Sequence, residues 1–212
     1  YVPEFIPFAF VFRLLGAEVI YEVQENLYKK LHLKTPNRGR LLNQLFRYFD
    51  QLARRHFYLI FTEHGYLDTY TDLKRPYAVI YNFPSLPFLA PFRRPYQPNP
   101  NQPFFFYIGW ISFERAFDTL LDGLARLRTV VPQFRVDLYG TPAFALSELE
   151  TLPAYHALRD CLHFHGYTDQ RVAFEQIDGA TAGLALLKPV GDYPDSYPTK
   201  LFEYMALGLP VI

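Results

Sequence analysis

A single cysteine, Cys161, leaves no intramolecular disulfide and no CxxC metal site to consider. That fits a reducing cytoplasm without requiring one. Charge of one sign is not in excess either, since Lys and Arg number 21 and Asp and Glu number 21. Without a global basic field, electrostatics does not draw the chain to nucleic acid or to an anionic membrane. Long apolar runs are also missing. The richest, Phe5 to Leu15, is shorter than the roughly 20 residues that span a bilayer and carries Arg13. Pro3 and Glu4 stand where a secretory signal would have its basic region. No P-loop, no Rossmann GxGxxG and no Ser-His-Asp order occurs.

What is plentiful is apolar and aromatic: 21 Phe and 17 Tyr in 212 residues, enough to bury a core and to exclude a disordered chain. Length alone permits one or two domains. Apolar residues at helical spacing alternate with short β-rich runs, which predicts an α/β architecture with parallel sheets and crossover helices. In the first part, a helix near 5–15 leads through Gly16 to a strand at 18–23. A helix over 41–55 carries Leu42, Leu45, Phe49 and Leu52 along one stripe. Strands follow near 58–62 and 77–81, and His64, beside Glu63 and Gly65, reads as a helix start between them.

A break then follows. Seven prolines fall between Pro84 and Pro103, so this stretch can donate little to a sheet ladder. It reads as a stiff connector over 89–103, between a domain at 1–88 and one at 104–212. The second part predicts strands at 104–108, 134–139, 162–165 and 182–187. Helices are expected at 115–128, 155–161, 170–180 and 199–207. The face of the 115–128 helix is Phe117, Leu120, Leu121, Leu124 and Leu127. Open parallel sheets bind ligands at the carboxyl ends of their strands. Gly109, Gly140, Gly166 and the segment from Lys188 to Lys200 all fall at such ends.

The densest signal is Tyr197-Pro-Thr-Lys-Leu-Phe-Glu-Tyr-Met-Ala-Leu-Gly-Leu-Pro-Val-Ile212. Proline suits a helix start because it has no amide hydrogen to lose and its φ is already helical. The unpaired amides there, with the helix dipole, make an anion site. A cation in that place is disfavoured unless an anion compensates it, so Lys200 itself implies a negative ligand. Glu203 follows one turn later and shares its face. Such a helix end can hold a nucleoside diphosphate, with amides and Lys200 on phosphate and Glu203 on ribose hydroxyls.

This stretch resembles the donor-site signature of group 1 (family 4) glycosyltransferases. The resemblance extends upstream, in the family's order, through Tyr107-Ile-Gly109, Val136-Asp-Leu-Tyr-Gly140 and Phe164-His-Gly166-Tyr167. It reaches more weakly to Val19-Ile-Tyr-Glu-Val-Gln-Glu25 and Val79-Ile-Tyr-Asn-Phe-Pro84. It implies a GT-B fold, with two Rossmann-like domains whose parallel sheets face a cleft. The amino-terminal, acceptor-side domain would be incomplete and the donor domain cut short at Ile212, so the chain reads as an internal fragment of a longer enzyme, itself weakly active or inactive.

The resemblance assigns Glu203 to the second acid of a Glu, seven residues, Glu pair. The first falls at Asp195, one methylene shorter; the same residue also reads as a solvated loop acid. Arg115 matches one member of the family's basic pair after the first strand of the donor domain. Trp110 replaces the other, and Ala116 stands where the family carries glycine. Ser196 and Thr199 would join Lys200 and Arg115 on the diphosphate. Gly109 and Tyr167 would border the nucleoside. Gln24 and Glu25 match a segment facing the acceptor cleft, although Gln24 replaces a histidine and cannot shuttle a proton near neutral pH. His163 and His165 have HxH spacing, but no third metal ligand follows from the sequence.

The implied reaction is retaining, metal-independent transfer of a hexose from a UDP- or GDP-linked sugar to a glycan or lipid-linked acceptor, as in polysaccharide biosynthesis. No cofactor is expected beyond the donor substrate, and no nucleic acid or obligate protein partner. The expected location is the cytoplasm, with peripheral contact at the inner face of the membrane. A catalytically inactive nucleotide-binding scaffold of this fold and a nucleotide-sugar epimerase remain alternatives.

Overall fold

The computed structural model describes residues 5–26, 40–191 and 193–212; the side chains of Arg40, Leu42 and Asp195 lie outside that description. The chain divides into two compact units. The first comprises residues 1–82 and 189–197, the second residues 83–188 and 198–212.

In the first unit, α1 (Ile6–Leu14) precedes β1 (Ile20–Val23), and α2 (Arg40–His56) precedes β2 (Tyr58–Phe61). A 3-10 helix at His64–Asp68 leads toward β3 (Tyr77–Val79). The strands pair in parallel in the order β1-β2-β3, with Ile20 opposite Tyr58 and Leu59 opposite Tyr77. Alternate strand residues turn inward: Tyr21 and Val23 from β1, Leu59 and Phe61 from β2. Phe57, Tyr66 and Tyr70 complete that core.

The second unit opens with α3 (Leu86–Leu89) and continues with β4 (Phe104–Ile108), α4 (Phe117–Arg128) and β5 (Arg135–Tyr139). After α5 (Leu146–Leu149) and α6 (Pro153–Leu158) come β6 (Leu162–Gly166), α7 (Gln170–Glu175), β7 (Ala182–Gly183) and α8 (Thr199–Leu207). Its parallel sheet has the order β6-β5-β4-β7, so β4 lies in the interior. A strand covered on both faces must be apolar throughout. β4 meets that demand with Phe104, Phe105, Phe106 and Tyr107, all buried. One layer packs α4 and α6 on the sheet through Phe105, Leu121, Val136 and Leu158. The other packs α7, α8 and α3 through Phe106, Phe174, Tyr204 and Leu89. After α8, Val211 bridges in parallel to Gly183 of β7.

Several expectations need correction. The proline-rich segment is not wholly a connector: Leu89 and Phe92, the latter in a 3-10 turn at Ala90–Phe92, are buried in the second unit's core. The division falls earlier, after Asn82. Pro-rich sequence blocks sheet pairing, but it does not prevent apolar side chains from docking. The helix expected from 115 starts at Phe117, because Phe113–Arg115 form a 3-10 turn and Ala116 is left-handed at φ 62°. The helix expected to run to 180 ends at Glu175. Of the stripe expected on α2, Phe49 packs against the core and Leu52 is half-buried, but Leu45 is exposed and the Leu42 side chain lies outside the description; the fully buried positions are Phe46, Asp50, Ala53 and Arg54.

Candidate nucleotide-binding site

The best-defined constellation surrounds the start of α8. Pro198 precedes the helix in an extended conformation, and Gly208 ends it at φ 78°. The opening turn of a helix lacks intrahelical acceptors for its amides, so this end is positive. Lys200 lies in that turn and is 8% exposed, as is Glu203 one turn later. Tyr204 anchors the helix: fully buried, its hydroxyl accepts the Ile108 amide at 3.1 Å, at the end of β4. Burial pushes that phenol well above its usual range. A side chain at Gly183 would overlap the Tyr204 ring, its Cβ only 2.3 Å from a ring carbon. Gly183 therefore admits the tyrosine that sets the height of Lys200 and Glu203.

Opposite them, three strands end in glycine. The Gly109 amide donates to Tyr139 O and the Gly140 amide to Gly166 O, each at 2.8 Å. Gly140, at φ 149°, lies so close to Gly109 that a Cβ would sit 1.8 Å from its carbonyl oxygen. A Cβ on Gly109 would lie 3.3 Å from Lys200 Nζ. Glycine thus keeps the rim flat where a ligand backbone would approach.

Lys200 Nζ is the electrostatic focus. It sits 3.8 Å from the centroid of the Tyr107 ring and has no hydrogen-bond partner among the described residues. Burial foremost, and then the Arg115 charge, lowers its pKa to about 7 against a partial offset from Glu203. A buried cation without a hydrogen-bond partner, beside a second cation, is an arrangement that an anion could complete. Burial also pushes the Glu203 carboxyl up, opposed by Gln170, whose Nε2 donates to Oε1 at 2.7 Å, and by Lys200. Lys188 and Asp118 form an ion pair at 2.6 Å between the chain following β7 and the first turn of α4.

The structure thus brings Gly109, Arg115, Lys200 and Glu203 together within the second unit, with Thr199 on the same helix turn. Trp110 keeps its carbonyl bonded to the Tyr107 hydroxyl at 2.7 Å and leaves its side chain 53% exposed. Tyr167 is 88% exposed just past β6, within reach of solvent and not of the core. Ser196 and the backbone of Asp195 belong to the Pro189–Tyr197 segment, which is part of the first unit. In that unit the Tyr197 amide donates to the buried Glu63 at 3.1 Å. Gln24 is exposed just past β1, its amide donating to Glu22 at 3.0 Å, and Glu25 follows it half-buried.

His165 stacks on Tyr139 with centroids 4.3 Å apart and lies 3.4 Å from Asp137. Among the described residues no three His, Cys, Asp or Glu side chains converge as metal ligands. Among the same residues no helix is long and apolar enough to cross a membrane. Sequence reasoning missed Gln170, Tyr204 and Gly183. The only available signal for Gln170 was Asp169, whose side chain caps α7 by accepting from the Arg171 amide at 2.9 Å.

No protein-family model and no curated protein matches the chain. Solved structures do. HepE of Anabaena in complex with UDP superposes with a TM-score of 0.69 at 16% identity, covering 99% of this chain and 57% of that one. The same protein with UDP-glucose gives 0.68 at 17% identity, with the same coverage. Sucrose-phosphate synthase of Thermosynechococcus elongatus gives 0.62 at 17%, covering 91% and 49%. The fold is that of the GT-B glycosyltransferases. The chain spans about half the length of these proteins.

Proposed function

We propose that this chain binds a nucleoside diphosphate sugar at the amino end of α8 and supplies the donor side of a retaining glycosyltransferase. The observation that carries the reading is Lys200: a buried ammonium with no hydrogen-bond partner among the described residues, facing a strand-end glycine, with Glu203 one turn away. Lys200, Arg115 and the helix amides would neutralise the diphosphate as the anomeric C–O bond lengthens, which is leaving-group stabilisation without need of a metal. Glu203 would accept from the ribose hydroxyls, and Gly109 would let the nucleoside approach the rim. The neighbours crystallised with UDP and UDP-glucose support a nucleotide sugar as the ligand class.

Hexose transfer with retention rests on the resemblance of residues 197–212 to the family's donor signature. On that reading Asp195 meets the donor sugar, and Ser196 and Thr199 hydrogen-bond its diphosphate. Tyr167 borders the base, and Gln24 and Glu25 meet a glycan or lipid-linked acceptor. The setting proposed is polysaccharide synthesis at the inner face of a membrane.

Titration calorimetry with UDP and GDP tests the binding step. The unaltered chain binds one of them. Lys200→Ala weakens it by about 1.5–3 kcal/mol, the range for a charge-assisted bond, and Glu203→Ala weakens it by a similar amount. Equal affinity of Lys200→Ala and the parent for the diphosphate would remove the reading.

A further inference from the structure

The acid at this site is not held by its own helix alone. Gln170, the first residue of α7, donates Nε2 to Glu203 Oε1 at 2.7 Å, across 33 positions of sequence. Its mounting is rigid. The Asp169 side chain caps the α7 start, the Ala173 amide donates to Asp169 O at 3.0 Å, and Ala173 and Phe174 are buried in the sheet-facing core. Phe174 itself lies against the Phe92 and Phe106 rings, with centroids 6.0 and 6.3 Å away.

Glu203 rides on α8, which Tyr204 pins to β4. Two independently anchored elements therefore meet at one carboxylate. An ionised carboxylate has about four acceptor positions on two oxygens. One directed donor removes one of these and stops the group from rotating. The remaining positions suffice for the two hydroxyls of a ribose.

We propose that Gln170 is a positioning residue and a determinant of nucleoside specificity. By donating to Oε1, it orients the Glu203 carboxylate to accept from both ribose hydroxyls, so that the site prefers ribonucleoside to 2′-deoxyribonucleoside diphosphates. This rests on the nucleotide-binding reading above. A site arranged around a hydroxyl discriminates against the ligand lacking it because its own polar group is left without a partner. Without Gln170 the carboxylate turns freely and that selectivity falls.

The experiment is calorimetric titration of the unaltered chain with UDP, GDP and their 2′-deoxy counterparts, then of Glu203→Ala, Gln170→Met and Gln170→Glu. The parent favours the ribonucleotide by about tenfold or more, the size of one charge-assisted hydrogen bond. Glu203→Ala abolishes the preference, and Gln170→Met lowers it to less than about threefold, by the same arithmetic. Gln170→Met also loses the donor that favours the charged acid, so the acid limb of the ribonucleotide affinity moves to higher pH. Gln170→Glu, equal in size, moves it further because two carboxylates contend for one proton.

If Glu203→Ala loses the preference while both Gln170 variants keep it, Gln170 does not position the acid, and the binding reading stands. If the parent binds neither nucleotide, or binds ribo and deoxy forms equally, the ribose contact of Glu203 fails and this inference fails with it.

Discussion

Two buried charge clusters, one in each unit, show opposite arrangements. In the first, Asp50 is sealed from solvent but surrounded by donors. Arg54 donates Nε at 2.9 Å and holds a second guanidinium nitrogen 2.8 Å away in an ion pair, and the Tyr21 hydroxyl donates at 3.0 Å. Arg54 reaches on to Asp72 at 3.1 Å and the Thr69 carbonyl at 3.3 Å, and lies 3.9 Å over the Tyr70 ring. In the second unit, Lys200 has an aromatic face below it and a like charge nearby, and Glu203 has one glutamine. A buried charge costs several kcal/mol to desolvate and survives only with partners. Where the fold supplies them, the group serves the fold; where it does not, the proposed nucleotide would complete the site.

Breaking the complete network gives the largest effect. Arg54→Leu leaves Asp50 buried without its cation and destabilises the protein by about 3–5 kcal/mol, read from urea unfolding. A loss below about 1 kcal/mol, typical of a surface pair, would mean that the network is not structural.

Sharpening the contrast at Lys200 calls for pH. Its folded-state pKa, about 7, lies below the ordinary lysine value of 10.5. Below pH 7 both folded and unfolded chains carry the proton, and the full cost of burying the charge is present. Between 7 and 10.5 the unfolded chain binds more protons than the folded one, so stability rises with pH, by at most about 1.4 kcal/mol per unit. Unfolding measured from pH 6 to 10 should show this rise in the parent relative to Lys200→Met. Parallel curves for the two would contradict the buried, unpaired state of the amine.

The smallest effect lies beside the site. Ala116 holds a left-handed φ of 62° between the Phe113–Arg115 turn and α4. Alanine there costs about 1–2 kcal/mol, partly offset by the greater unfolded-state freedom of glycine. Ala116→Gly therefore raises stability by up to about 1 kcal/mol by the same balance, visible as a higher melting temperature. A lower one would show that the buried methyl matters more than the strain.

Legibility from sequence varied with how local each feature is. Helix α8 was read end to end, because Pro198 and Gly208 punctuate it through their own backbone preferences. β4 was read because four consecutive aromatic side chains have no other stable place. The buried face of α2 is only partly legible: apolar spacing finds Phe49, but it cannot reveal that Asp50 and Arg54 pair four residues apart and are buried beside it. Ala116 stands at a family glycine in the sequence, but only the fold, with its left-handed φ of 62°, shows why glycine suits it. Gln170 was invisible: its meaning depends on a carboxylate 33 residues away.

By itself, then, the order of residues determined the parallel α/β alternation, the glycine-ended strands and a helix opening on Pro-Thr-Lys with an acid one turn in. Those follow from short-range periodicity and backbone sterics, which any stretch of chain carries with it. The tertiary structure alone decided which charges are matched and which are left waiting. Desolvation and partnership are properties of the packed interior, and they do not exist until distant segments exclude water together.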